Sequence, residues 1–449
     1  MQSLKSMTVG SPAKLIFFFA LPLMVGNVFQ QLYTVVDTII VGRGVGMTAL
    51  AALGTVDWLN WMILGIVMGF TQGFSVRMSQ KFGEGDMAAL RRTIGLAARL
   101  TIIITIITAA AAQIFLPLLL SLLRVPADLR PMAELYIRIL FAGIPCLMFY
   151  NFTSSVVRAV GDSKTPLAAM ITASVTNIVL DCVAVFGLGW GIAGAALATV
   201  FAQALAGGIC TLKILRTPEL RFSRADMKPD RTIAGELLKL GYPISIQWTI
   251  IHIGGMIVQS VVNGFGTVFI AGFTATNKLY GLLEICGVSY GSAVMTYVGQ
   301  NVGAGEYGRV KKGVNIACLI SAATSAVIST VMIAFGRQIT MLFISSESAA
   351  EEAAAGEVAY RYLFLMSAFL AVLYLLYAYR CALQGMGKTL IPTLSGIAEF
   401  IMRVGIAMLV GIAGLPEDWI FAAEFSAWTG AAVLLCISYY VCARRLGKE

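Results

Sequence analysis

The sequence predicts an all-α membrane protein: twelve transmembrane helices in two pseudo-symmetric six-helix bundles. Three observations carry this. Hydrophobic residues make up 58% of the 449 residues and charged residues only 12%, roughly half the charged fraction of a soluble domain; mean hydropathy is +0.84. The apolar runs are continuous, not alternating, and suit helices of about 20 residues crossing about 30 Å of hydrocarbon. Lipid offers backbone polar groups no partners, so runs of this kind must be helical. Finally, the chain repeats itself. Ser79-Gln80-Lys81-Phe82-Gly83-Glu84-Gly85-Asp86 recurs as Gly299-Gln300-Asn301-Val302-Gly303-Ala304-Gly305-Glu306. Leu21-Pro22 is answered by Tyr242-Pro243, Arg91-Arg92 by Lys311-Lys312, and Gly161-Asp162-Ser163-Lys164-Thr165-Pro166 by Gly385-Met386-Gly387-Lys388-Thr389. Two parallel copies of one bundle, related by an axis along the membrane normal, would produce this pattern and leave a cleft between them.

In chain order, spans of the first half centre near Met24, Leu64, Thr105, Cys146, Val175 and Ala202. Those of the second centre near Ile251, Glu284, Thr324, Phe369, Phe400 and Leu434. Each half begins with an apolar helix expected to open or kink near a proline, Pro22 or Pro243. The longest polar stretch, from about Arg216 to Arg231, contains Pro218 and Pro229 and divides the halves. The domain expectation is therefore a bundle over 1–215, a cytoplasmic linker over 216–235 and a second bundle over 236–449.

Charge sets the expected orientation. Lys5 and Lys14, Arg77 and Lys81, Arg158 and Lys164, the linker bases, Arg309, Lys388, Arg444, Arg445 and Lys448 all fall on one side if the spans alternate. The opposite loops are short or acidic, as at Glu347, Glu351 and Glu352. By the positive-inside rule the basic side is cytoplasmic. The expectation is a multi-pass protein of a bacterial cytoplasmic membrane with both termini inside. The net charge of +9 is spread over many loops, so it reads as topology and not as a nucleic-acid face. The eight cysteines lack CxxC spacing and read as small core residues.

Acids and bases within hydrocarbon are costly, so each calls for a reason. Span one holds Gln30, Gln31, Tyr33 and Asp37; span five holds Asn177 and Asp181, four apart and so on one helical face. Tyr136 and Asn151 of span four and Thr199 of span six add polar groups. A pair of lipid-shielded carboxyls can hold and release a proton, or can join amide and hydroxyl oxygens around Na⁺. In the second half, Glu399 and Arg403 at i and i+4 suit a mutual ion pair. Glu284 could face a cationic cargo, with Lys278 neutralising it. Arg380 is expected to snorkel to the cytoplasmic surface. His252, the one histidine, could titrate near neutral pH but suits a packing role. Methionines and aromatics suit lipid contact or an adaptable cleft for flat cations.

These residues resemble a known family. Gln31-Leu32-Tyr33-Thr34-Val35-Val36-Asp37-Thr38-Ile39-Ile40-Val41-Gly42 is similar to the first-helix signature of the multidrug and toxic compound extrusion (MATE) family. Arg158 to Pro166 resembles its loop between helices four and five, and Val298 to Gly305 its second-half loop. The resemblance covers essentially the whole chain. It implies secondary active efflux of organic cations driven by H⁺ or Na⁺, and no resident cofactor. In the prokaryotic branch of the DNA-damage-inducible (DinF-like) type, the cation site matches Asp37, Asn177 and Asp181, with Tyr136, Asn151 and Thr199 in support. The same Asp37, Asn177 and Asp181 would ligate the metal if coupling is to Na⁺. Gln30, Gln31, Tyr33, Glu284 and His252 are the candidate substrate contacts. The other branch's helix-seven glutamate and helix-ten aspartate have no counterpart here, which argues against a carboxy-terminal Na⁺ site of that kind.

The expected partners are small organic cations and the bilayer, with a monomer sufficient. A lipid-linked oligosaccharide flippase of the same superfamily is the alternative; it would want a basic cleft for pyrophosphate. No nucleophile–base or metal-ligand constellation points to an enzyme.

Overall fold

The computed structural model describes residues 6–123, 125–344 and 348–447. Lys5, Glu347 and Lys448, which entered the charge argument, lie outside the described residues. Among the described residues every regular element is helical. The first half comprises α1 (Pro12–Gly44), α2 (Met47–Gly83), α3 (Met87–Leu122), α4 (Arg130–Ala142), α5 (Ile144–Ala159), α6 (Lys164–Asp181) and α7 (Gly191–Arg216). The second comprises α8 (Arg231–Val262), α9 (Thr267–Gly303), α10 (Tyr307–Met341), α11 (Ala349–Ala368), α12 (Leu370–Gly385), α13 (Leu390–Ala413) and α14 (Ala422–Arg445). Taking α4–α5 and α11–α12 as one bent span each gives the twelve spans in two sets of six. Nine helices are long and apolar enough to cross a bilayer among the described residues, and the bent pairs bring that to eleven. The twelfth, α9, has 37 residues, about 55 Å of helix, but its apolar run is diluted by Lys278, Glu284 and several glycines.

The halves bend at the same place. α4 meets α5 at 44° and α11 meets α12 at 48°. In the first half the cause is local. Pro145 lies in the first turn of α5 and cannot donate to the preceding turn. At the second bend, which has no proline, Phe369 stacks on Phe425 with centroids 4.7 Å apart. The expected opening at Pro22 and Pro243 does not occur: α1 and α8 run unbroken through both prolines. Exposed side chains such as Ile106, Ile114, Leu319 and Ile412 form the lipid-facing surface that a soluble fold would not tolerate.

The repeated loops turn alike. Gly85 and Gly305 have φ of +76° and +72°, a left-handed turn that glycine adopts without steric cost. Gly161 and Gly387 have φ of +84° and +77°, and each follows its helix end by two residues. This corrects the register of that repeat. Gly161 pairs with Gly387, not Gly385, and Pro166 then pairs with Pro392.

The chain divides into two compact units: Leu21–Ser245, and Met7–Ala20 together with everything from Ile246 onward. The start of α1 thus belongs to the second unit and the start of α8 to the first. Within the first unit, α8 crosses α2 backbone to backbone. A Cβ on Gly73 would lie 2.4 Å from Gly241 Cα, and one on Gly69 would lie 2.3 Å from Ser245 Cα. Small residues four apart allow that approach. The chain leading into α8 is tied down by Arg92–Asp230 at 2.7 Å and Arg77–Glu236 at 2.8 Å. Within the second unit the segment before α1 is held in the same manner. Met7 N donates to Gln300 Oε1 (2.7 Å), and Arg309 Nη2 donates to the Gly10 carbonyl (3.1 Å).

Candidate functional site

The first unit gathers its acids at one end. Asp37 lies in the last third of α1, and Asp181 is the final residue of α6. Beyond it the helix widens into a π turn over Cys182–Gly187, a distortion that often marks functional positions. Gly44 fits against that turn; a Cβ there would lie 2.4 Å from Val185 Cγ1. Asp37 is 8% exposed and Asp181 0%, and their carboxyl groups are within hydrogen-bond reach of each other. Carboxylates that close repel unless a proton or a cation lies between them. On each residue Oδ1 has no hydrogen-bond partner, a costly state for a buried polar atom.

Asn177, one turn before Asp181, is also buried. With its amide oriented to satisfy both ends, Nδ2 donates to Asp181 Oδ2 (3.2 Å) and Oδ1 accepts from the Thr199 backbone N–H (3.3 Å). Tyr33, one turn before Asp37, and Tyr136 of α4 both lie within electrostatic reach of the two aspartates. The sequence-predicted Asp37, Asn177, Asp181, Tyr136, Thr199 and Tyr33 are therefore brought together. Asn151 is not among them: its Nδ2 donates to the Leu147 carbonyl of its own helix (2.9 Å). Gln30 and Gln31 are half-buried earlier on α1 and are not among the groups reaching the pair.

One member was missed. Asp57 of α2 acts electrostatically on both Asp37 and Tyr136. The signal was available, since Val56-Asp57-Trp58 places a lone carboxyl inside an apolar run. Among the described residues, no lysine or arginine is named with the groups acting on Tyr33, Asp37, Tyr136 and Asp181.

In the second unit four largely buried charges are paired with one another. Glu399 forms a close ion pair with Arg380 and sits 3.9 Å from Arg403; Arg403 pairs with Glu424 at 2.7 Å. Two expectations are corrected here, on Arg380 and on Lys278. Arg380 does not snorkel; it is 4% exposed, because α13 presents Glu399 to it across the bundle. Glu399 and Arg403 form the expected i, i+4 ion pair at 3.9 Å, and Arg380 and Glu424 add a shorter contact to each. Lys278 does not neutralise Glu284. Six residues apart on a helix, the two point about 120° apart, and Glu284 instead accepts from the Tyr377 hydroxyl. Lys278 lines a separate cavity of about 250 Å³ with Thr274 and Phe343. His252 Nδ1 donates to the Trp248 carbonyl (2.7 Å) and its ring stacks on Trp248.

Comparison with known proteins bears on this arrangement. The family model described as MatE matches residues 22–183 and 243–409. The probable multidrug resistance protein YpnP of Bacillus subtilis (strain 168) is 30% identical over 94% of this chain and 90% of its own length. A protein named FAD transporter, from Shewanella oneidensis, is 26% identical over 65% of this chain and 66% of its own. In fold, a MOP-superfamily transporter from Pyrococcus furiosus, described as having a binding pocket of reverse polarity, superposes with a TM-score of 0.92 over 100% of this chain and 99% of its own, at 22% identity.

Proposed function

Since the chain belongs to the MatE family and is a multi-pass membrane transporter, we propose that it exports organic cations in exchange for an inward-moving ion, H⁺ or Na⁺. The observation that carries this reading is the Asp37–Asp181 pair. Two buried carboxyls close enough to act on each other, each with an oxygen lacking a partner, form a site that gains from accepting a positive charge.

A proton bridging the two would relieve their repulsion at once. Na⁺ would draw on the oxygens of Asp37 and Asp181, of the hard type that it favours, and on that of Asn177 once its amide turns from the Thr199 N–H toward the pair. Exchange then requires that ion and cargo favour opposite states of the carrier. An ion entering the pair cancels negative charge, so a cationic cargo nearby is held less tightly and leaves. Tyr33 and Tyr136 add π faces that attract an organic cation when the pair is charged. The cycle needs no resident cofactor, and a single chain supplies all of these groups. The termini belong on the cytoplasmic side under this reading.

The flippase alternative needs basic groups available for a pyrophosphate. Arg380 and Arg403 are already engaged by Glu399 and Glu424, and this favours the cation exporter.

The test is Asp37→Asn in a pump-deficient host, with membrane expression checked. Drug resistance should disappear while expression persists; resistance at the wild-type level would refute the assignment. Reconstituted protein given a pH gradient and a sodium gradient separately identifies the ion.

A further inference from the structure

Within the helices of the second unit, Arg337 holds Glu357, Arg361 holds Asp418, Arg380 holds Glu399 and Arg403 holds Glu424. Lys278 of α9 differs: among the described residues it has neither an ion pair nor a hydrogen bond. Thr274, four residues earlier and so on the same helical face, has no hydrogen-bond partner among the described residues either. Both side chains are exposed, and both line the cavity of about 250 Å³. Its apolar wall is Phe343 and Ile344, just past the end of α10. Phe343 is exposed, whereas Ile344 packs with Ala275 of α9 and with Ala355 and Ala359 of α11 in a small buried core. Two unpartnered polar groups thus share a cavity with an exposed aromatic ring, on a floor that packing holds.

The depth of Lys278 matters. The 37 residues of α9 make about 55 Å of helix against about 30 Å of hydrocarbon. Centred on a bilayer, the helix overhangs by about 12 Å at each end. Lys278 is its twelfth residue, about 16 Å from the start, and so lies just inside the hydrocarbon edge. Its long stem carries the ammonium to the level of the headgroups. Lys311 and Lys312 follow the other end of α9, so Lys278 is not one of the bases that set the orientation.

We propose that this cavity holds the headgroup of an anionic phospholipid, its phosphate on the Lys278 ammonium and the Thr274 hydroxyl and its glycerol end along Phe343 and Ile344. An ionisable side chain within a spanning helix calls for compensation, and lipid phosphate is the anion present at this depth. Basic pockets between membrane helices recognise headgroups in this way. The ammonium–phosphate hydrogen bond is charge-assisted, and the hydroxyl adds a neutral one. A zwitterionic headgroup brings its own cation and gains less from Lys278. Free phosphate has no apolar part and leaves Phe343 and Ile344 unused. The site lies wholly within the second unit, and nothing in it depends on the proposed ion exchange at Asp37 and Asp181.

The experiment uses full-length protein, delipidated in detergent and titrated with phosphatidylglycerol, phosphatidylcholine and inorganic phosphate. Lipid binding is read by native mass spectrometry and phosphate binding by calorimetry. Wild type should bind one phosphatidylglycerol about tenfold more tightly than Lys278→Gln does, while the two bind phosphatidylcholine alike. Lys278→Arg should keep the preference. Equal binding of phosphatidylglycerol by wild type and Lys278→Gln overturns the proposal. So does an equal loss on phosphatidylcholine, or inorganic phosphate bound as tightly as the lipid. Should Lys278→Gln fail to fold, the wild type carries the test. Phosphatidylglycerol with a photoactivatable group beside its phosphate should crosslink to the α9 peptide that contains Thr274 and Lys278, and labelling confined to other peptides overturns the assignment.

Discussion

The two units use buried charge in opposite ways. In the first, Asp37 and Asp181 face each other, and among the described residues no lysine or arginine is named with the charges acting on them. In the second, Arg380, Glu399, Arg403 and Glu424 form a chain of ion pairs across α12, α13 and α14. Both sets lie within membrane-spanning helices, where an isolated charge is expensive. The second unit offsets that cost with fixed partners and so fastens its helices together. The first leaves it in place, as the proposed ion exchange would require. A repeat of one bundle has diverged into a tied half and an unsatisfied half, and the difference separates structural charge from working charge.

The largest expected effect breaks the tied half. Arg403→Met removes the charge between Glu399 and Glu424, taking the 2.7 Å arginine contact from Glu424 and leaving Glu399 with Arg380. A loss of about 3–5 kcal/mol is expected, read as a collapse of monodisperse yield and of thermal stability in detergent. Adding Glu424→Gln should recover part of it. Asp181→Asn should do the reverse. Transport should fall by about a hundredfold or more, while the melting temperature holds or rises, because one of two repelling carboxyls has gone. A variant pair behaving the other way round would invert the comparison. Between these lies packing. Gly73→Ala places a methyl against the Gly241 backbone, an overpacking worth about 1–3 kcal/mol, and should lower the melting temperature without changing the cargo preference of whatever protein still folds.

How much of this the sequence disclosed follows from the range of the forces involved. Spans, the repeat and the two-carboxyl site were legible, because hydropathy, glycine turns and i, i+4 spacing are local. Asn177 and Asp181 share a face by helix geometry alone. The pairing of Arg380 with Glu399 was not legible, since it depends on how α12 packs on α13, and so Arg380 read as a surface residue. Lys278 and Glu284 were misread through sequence proximity, although a six-residue step carries the side chain away. The register of the Gly161 repeat slipped by two because Lys-Thr is a stronger visual match than the left-handed glycine that the turn requires. Asp57 was overlooked because no second acid lies near it in sequence, whereas the groups on which it acts, Asp37 and Tyr136, come from α1 and α4.

The smallest expected effect lies where neither use of charge applies, in water. Asp226, on the polar stretch before α8, accepts from the Ser223 backbone N–H (2.7 Å) and from Ser223 Oγ (2.8 Å). Those hydrogen bonds, with Arg91 and Arg92 nearby, hold its carboxyl below the ordinary carboxylate value. A depressed folded-state value means that the ionised form favours folding. The contribution is full above the unfolded value of about 3.9 and disappears as pH falls through the lower folded one. Wild type and Asp226→Asn should therefore melt with a small, constant offset between about pH 5 and pH 8, and the offset should close in stronger acid. Solvent screening keeps it to about a degree or two. An offset as large as that of Arg403→Met would mean that an exposed acid can matter as much as a buried ion pair, and the contrast between satisfied and unsatisfied charge would lose its physical basis.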